Sequence, residues 1–345
     1  MRSIVLRAPL APSLAAAMAI SWCCHGQTIG PAKSAYPKIS LAVGYQVVPE
    51  WPQKPAELQW RFVTGVTVDA QDRVWILNAI KPQVQVYAAD GKFLDAWGSD
   101  AFKNPHFLRI DRAANVWAAD YGAHVVMKFT PKGQLLLTLG TPGVAGADAT
   151  HLNRPTDMAF APNGDIFVTD GYGNNRIVHF DANGKFVKTW GELGVEAGQL
   201  SQPHSIAMDS QGRLYVAERN NCRVQVFDQS GKSLAQWRNL INPWAIHITP
   251  RDEEIACGSS PARWGARHNL GNPPTDQLLI KFDTGGRALE LWTFPLAAPG
   301  TQIAGQLDWC HGLGVDSQGN LYIGDVADES LTHRVQKFIR LPAER

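Results

Sequence analysis

From residue 41 onward the chain alternates short runs of apolar β-formers with polar turns, and the alternation returns in a fixed phase. Six segments align without gaps: VDAQDRVWILN from Val68, IDRAANVWAAD from Ile110, FAPNGDIFVTD from Phe160, MDSQGRLYVAE from Met208, ITPRDEEIACG from Ile248 and VDSQGNLYIGD from Val315. Each reads as strand, turn, strand, because Gly, Asn and Asp supply the turn conformations and period-two apolar residues follow. Most are followed by a third strand, such as RIVHFD from Arg176 and RVQVFD from Arg223. A Gly-Lys turn then leads to an outer strand ending at Trp97, Leu139, Trp190, Trp237 or Trp292. Self-similarity at roughly 40–50 residues, with four antiparallel strands per unit, predicts an all-β, six-bladed β-propeller.

The sixth unit stops after its third strand, RVQKFIR from Arg334. LAVGYQVVPEW from Leu41 alternates well enough to supply the missing outer strand, which would close the ring and cover a sheet edge. The propeller is therefore expected over 41–341, preceded by a linker at 27–40 and a signal peptide at 1–26. Arg2 and Arg7 precede an apolar stretch from Leu10 to Trp22, with small residues before a cut near Gly26. That stretch is shorter than the roughly 20 residues of a membrane span, so a secreted or periplasmic protein is expected, with a lipid anchor at Cys23 or Cys24 as the alternative. Cys222, Cys257 and Cys310 remain after cleavage, and Cys222 with Cys257 is the candidate disulfide.

Composition changes the picture only by exclusion. Lys and Arg number 32 against 31 Asp and Glu, with no basic run, so nucleic acid and anionic membrane are not the expected partners. A monomer acting on a small molecule or peptide is expected.

The chemistry lies in one repeat position. The innermost strand of each blade lines the central channel, so equivalent residues converge on the axis. The residue four before each aligned segment is, in order, Thr64, His106, Thr156, His204, Trp244 and His311. Histidines in alternate blades approach the axis at about 120° to one another. Three imidazoles with a fourth position open is the arrangement of a catalytic zinc site. A plainer reading keeps each His as a hydrogen-bonding residue of a wet channel. Pro105-His106 and Pro203-His204 suit that reading; Cys310-His311, which loses the Pro and keeps the His, favours a metal.

The stretches NRPTDMAFAPNGDIFVTDGYGNNRIVHF from Asn153 and LSQPHSIAMDSQGRLYVAERNNCRVQVF from Leu200 resemble the peptidyl-α-hydroxyglycine α-amidating lyase family and its bacterial NHL-repeat relatives, from about Tyr45 to Arg340. The resemblance implies zinc held by His106, His204 and His311. It implies catalytic roles for Tyr172 and Arg219 in cleaving a carbinolamide C–N bond to an amide and glyoxylate, with Arg219 holding a carboxylate. Asn78 and Trp309 are expected to contact substrate. The chain departs from the family at Ala79, where a second arginine is missing, and at Trp309, where a methionine is replaced. At Gly312 a calcium-binding carboxylate is absent, so Ca2+ is not expected. The insertion SSPARWGARHNLGNPPTDQ from Ser259 carries Arg263 and Arg267, which could replace the missing cation. A non-catalytic NHL propeller binding a protein or peptide is the alternative function. A calcium-dependent lactonase ranks below it, because the axial positions contain no Glu, Asp or Asn.

Overall fold

The computed structural model describes residues 44–341 apart from 99, 239–241, 250–254, 260–276, 296, 298–301 and 327–333, with backbone alone at 255–259. The expected signal peptide, linker and lipid-anchor cysteines, and the 259–277 insertion beyond its first residue and its last, lie outside the described residues. No described helix is long and apolar enough to cross a membrane.

The fold is an all-β propeller of small antiparallel sheets, with every described strand in one of six four-stranded sheets. The first repeat contributes Val63–Val68, Val74–Asn78, Val84–Tyr87 and Phe93–Trp97 in sequence order, and the next four follow the same plan. In the remaining sheet Cys310–Val315, Leu321–Asp325 and Val335–Arg340 are joined by Tyr45–Val48, with Tyr45 opposite Arg340.

The turn residues explain why each sheet forms. Asp69, Asp111, Asp209 and Asp316 each accept from backbone N–H groups of their own turn and also from an aromatic six residues on, the indole N–H of Trp75 and Trp117 or the hydroxyl of Tyr215 and Tyr322. One carboxylate thus closes the hairpin and pins the second strand. Apolar side chains of neighbouring sheets interdigitate between blades; one cluster joins Trp75 and Leu77 of the first repeat to Leu108, Val116 and Phe129 of the second.

A second repeated clasp shapes one mouth of the channel. Asp120 accepts from the N–H groups of Lys103, Asn104, Gly122 and Ala123. Asp170, Glu218 and Asp325 do the same for residues 153, 201 and 308–309. Asp170 and Glu218 are also paired with the buried Arg176 and Arg223. Cys222 is a free thiol whose Sγ lies 2.9 Å from Asn242 Oδ1, and Cys310 is free and buried. The side chain of Cys257, the other half of the expected disulfide, lies outside the described residues.

Candidate metal centre and its cavity

His106, His204 and His311 are buried, and their ligand-capable nitrogens lie within 4.8 Å of one another. Their rings meet edge to face, with centroids 4.7, 4.8 and 4.9 Å apart. Each ring is fixed the same way. His106 Nδ1 lies 2.8 Å from the carbonyl of Thr156, His204 Nδ1 2.6 Å from that of Trp244, and His311 Nδ1 2.7 Å from that of Thr64. These carbonyls belong to the same axial position one blade further round, so the three contacts repeat with threefold regularity.

A carbonyl can only accept, so every Nδ1 carries the proton and every Nε2 presents a bare lone pair. Desolvation keeps all three rings neutral: His106 and His204 are held well below the usual imidazole range, and His311 is pushed down to about 4. The hydroxyl of Tyr172 lies 2.9 Å from Nε2 of both His106 and His204, yet it has one proton to give. A buried site with more lone pairs than donors is complementary to a cation. Imidazoles oriented by backbone carbonyls are also how metal ligands are held. The three histidines therefore form a possible metal site.

Above them is a cavity of about 390 Å³ whose lining falls into three tiers. The floor is the axial position itself, with Thr64, His106, Trp244 and His311. The next tier lies two residues earlier in each repeat, with Phe62, Arg154, Gln202 and Trp309. The upper tier comprises Tyr121, Tyr172, Arg219 and Val326. The two upper tiers are stitched together by the backbone: the N–H groups of Tyr172, Arg219 and Val326 donate to the carbonyls of Arg154, Gln202 and Trp309. Tyr121 and Ala79 repeat the bond, to Asn104 and Phe62.

This stitching sorts the expected residues. Tyr172 and Arg219 occupy equivalent positions in adjacent repeats and meet, the guanidinium hydrogen-bonding the phenol hydroxyl. Burial pushes Tyr172 up to about 12, opposed by the charges of Arg219 and Arg154. Arg219 also lies 4.2 Å over the Trp244 ring, which in turn packs edge-on against Trp309 at 4.7 Å. Trp309 lines the cavity as expected. Asn78 does not. It holds the clasp position of the first repeat, accepting from the Arg61 N–H and donating to the carbonyls of Gln59 and Ile80. Its amide is taken up by its own loop. Arg154, Tyr121 and Gln202 were not anticipated; the signal for Arg154 and Gln202 was their place two residues before an axial position.

The position after each axial residue is occupied differently from repeat to repeat. A Cβ at Gly312 would lie 2.7 Å from the backbone nitrogen of Val66, leaving no room for a carboxylate. In the equivalent position of the third repeat Asp157 is buried and neutralised by Arg109 at 2.5 Å. An anion already paired this closely is a poor ligand for a hard cation.

The NHL repeat signature matches residues 152–180 and 200–227. Peptidyl-glycine alpha-amidating monooxygenase B of Xenopus laevis is 43% identical over 68% of this chain and 26% of its own length. The chain is similar in sequence to proteins named for peptide α-amidation. Peptidyl-alpha-hydroxyglycine alpha-amidating lyase 2 of Drosophila melanogaster is 32% identical over 52% of this chain and 50% of its own. NHL repeat-containing protein 3 of Homo sapiens is 31% identical over 60% of the chain and 64% of its own. The chain thus spans less than two thirds of each of these relatives. Virginiamycin B lyase of Staphylococcus aureus, at TM-score 0.52 and 19% identity over 86% of this chain and 88% of its own, shares the fold alone. The same holds for a gluconolactonase of Xanthomonas campestris, at TM-score 0.56 and 14% identity over 82% of this chain and 87% of its own.

Proposed function

We propose that the chain is a zinc-dependent carbon–nitrogen lyase that cleaves the carbinolamide bond of an N-acyl-α-hydroxyglycine, releasing an amide and glyoxylate. The observation that carries this reading is the convergence of three neutral, carbonyl-anchored imidazoles, two of them against the hydroxyl of Tyr172, beside a buried guanidinium. We take the scaffold to be a closed ring of six blades, with Tyr45–Val48 completing the last.

His106, His204 and His311 would hold the ion through Nε2. Zinc so held supplies Lewis acidity, lowering the pKa of an oxygen bound to it and stabilising negative charge nearby. The chain's own groups account for the rest. The substrate hydroxyl must lose its proton as the C–N bond breaks, and the departing nitrogen must gain one, so the reaction is proton-neutral overall. As the phenolate favoured by the neighbouring Arg219, Tyr172 would accept the first proton and return it to the nitrogen. Arg219, whose charge lowers the Tyr172 pKa, also lines the cavity, where its guanidinium would meet a carboxylate. Trp244 and Trp309 would give the reacting carbon an apolar wall.

The test is glyoxylate release from N-benzoyl-α-hydroxyglycine by zinc-loaded protein. Release that vanishes in Tyr172→Phe supports the reading. Zinc-loaded protein that releases no glyoxylate above the spontaneous rate would refute it and leave the ligand-binding propeller.

A further inference from the structure

The family arginine missing at Ala79 leaves the upper tier with one guanidinium, but the cavity holds a second in the tier below. Arg154 is exposed, and its guanidinium carbon lies 5.4 Å from the ring centre of Tyr121 and 5.7 Å from that of Tyr172. It is therefore held over two aromatic faces at the cavity mouth. Its backbone is equally fixed, with φ of 60° and an N–H donating to His124 Nδ1. No carboxylate is found among the described residues that line the cavity. Two guanidinium groups thus flank Tyr172, one at its hydroxyl and one over its ring. The rest of the wall is largely aromatic, with Phe62, Trp244 and Trp309.

We infer that Arg154 is the second arm of a carboxylate clamp, and that the cavity selects small carboxylates bearing an apolar N-acyl group. The carboxylate lies between Arg154 and Arg219, and the acyl group packs on the indoles. Arg154 is a binding and specificity residue. The clamp deepens the lyase reading, on which the identity of the carboxylate as a hydroxyglycine rests, but it can be tested without turnover.

The probe is hippurate, an unreactive N-acylglycine, compared with its uncharged amide, hippuramide, by titration calorimetry of the zinc-loaded protein. Arg154→Gln is the informative variant. Gln202 occupies the same position of the next repeat at φ 53°, so glutamine fits that backbone. Arg154→Gln is expected to weaken hippurate by about tenfold or more while changing hippuramide less than about twofold; Arg154→Lys should recover part of the loss. Unchanged hippurate affinity, no hippurate binding by the parent protein, or equal losses for both ligands would overturn the clamp. Because hippurate does not react, a clamp that binds it through Arg154 stands even where glyoxylate release fails.

Discussion

Alternate repeats put one sequence position to two different uses. In the second, fourth and sixth it presents an imidazole to the channel; in the third, fifth and first it lends a main-chain carbonyl that fixes the imidazole next door. The first set should be intolerant of any change in side chain if its three nitrogens hold an ion. The second should tolerate side-chain changes, since the carbonyl survives every substitution except one that moves the backbone. A site split this way places its chemistry in three residues and its geometry in the fold.

The sharpest way to break the comparison is to remove one imidazole. His204→Ala should lower zinc affinity by on the order of a hundredfold or more, measured against a competing chelator, with equal effects at His106 and His311. An effect confined to one histidine would contradict threefold equivalence. Tyr172→Phe should leave zinc bound while turnover of the hydroxyglycine falls by about 10²–10⁴, as read by glyoxylate release beside metal analysis. Asp170→Ala should cost about 3–5 kcal/mol in denaturant unfolding, because it leaves Arg176 buried without its carboxylate. Asn78→Ala, at the same clasp position but neutral, should cost about 1–3 kcal/mol and leave hydroxyglycine KM unchanged. Thr64→Val should be mildest, with zinc affinity within about threefold of the parent, because its carbonyl remains for His311.

Much of this was legible because each blade repeats the same physics. The Asp-containing turns and alternating apolar residues recur in phase, so the sheets could be delimited from residues alone. The histidines were visible for the same reason, as departures at a single phase. Legibility failed one layer higher. Gly171 inserts a residue in the third repeat, where a Cβ would lie 1.8 Å from the Pro203 carbonyl, and this shifts Tyr172 out of step with Tyr121 and Arg219. The backbone bonds between the upper tiers restore the correspondence and join Tyr172 to Arg154. Asn78 sits away from the cavity lining for a related reason. Its neighbour Ala79 is where a cation is lost, but its own phase is that of Asp120, Asp170 and Asp325, which clasp loops. The arginines expected from the 259–277 insertion lie outside the described residues; Arg154 supplies positive charge from within the repeat.

The most direct measurement is zinc K-edge X-ray absorption on purified, zinc-loaded protein. The expected result is one zinc per chain with three imidazole nitrogens at about 2.0–2.1 Å and one oxygen ligand completing the shell. A shell with fewer than three imidazoles, or zinc that persists unchanged when all three histidines are alanine, would contradict it.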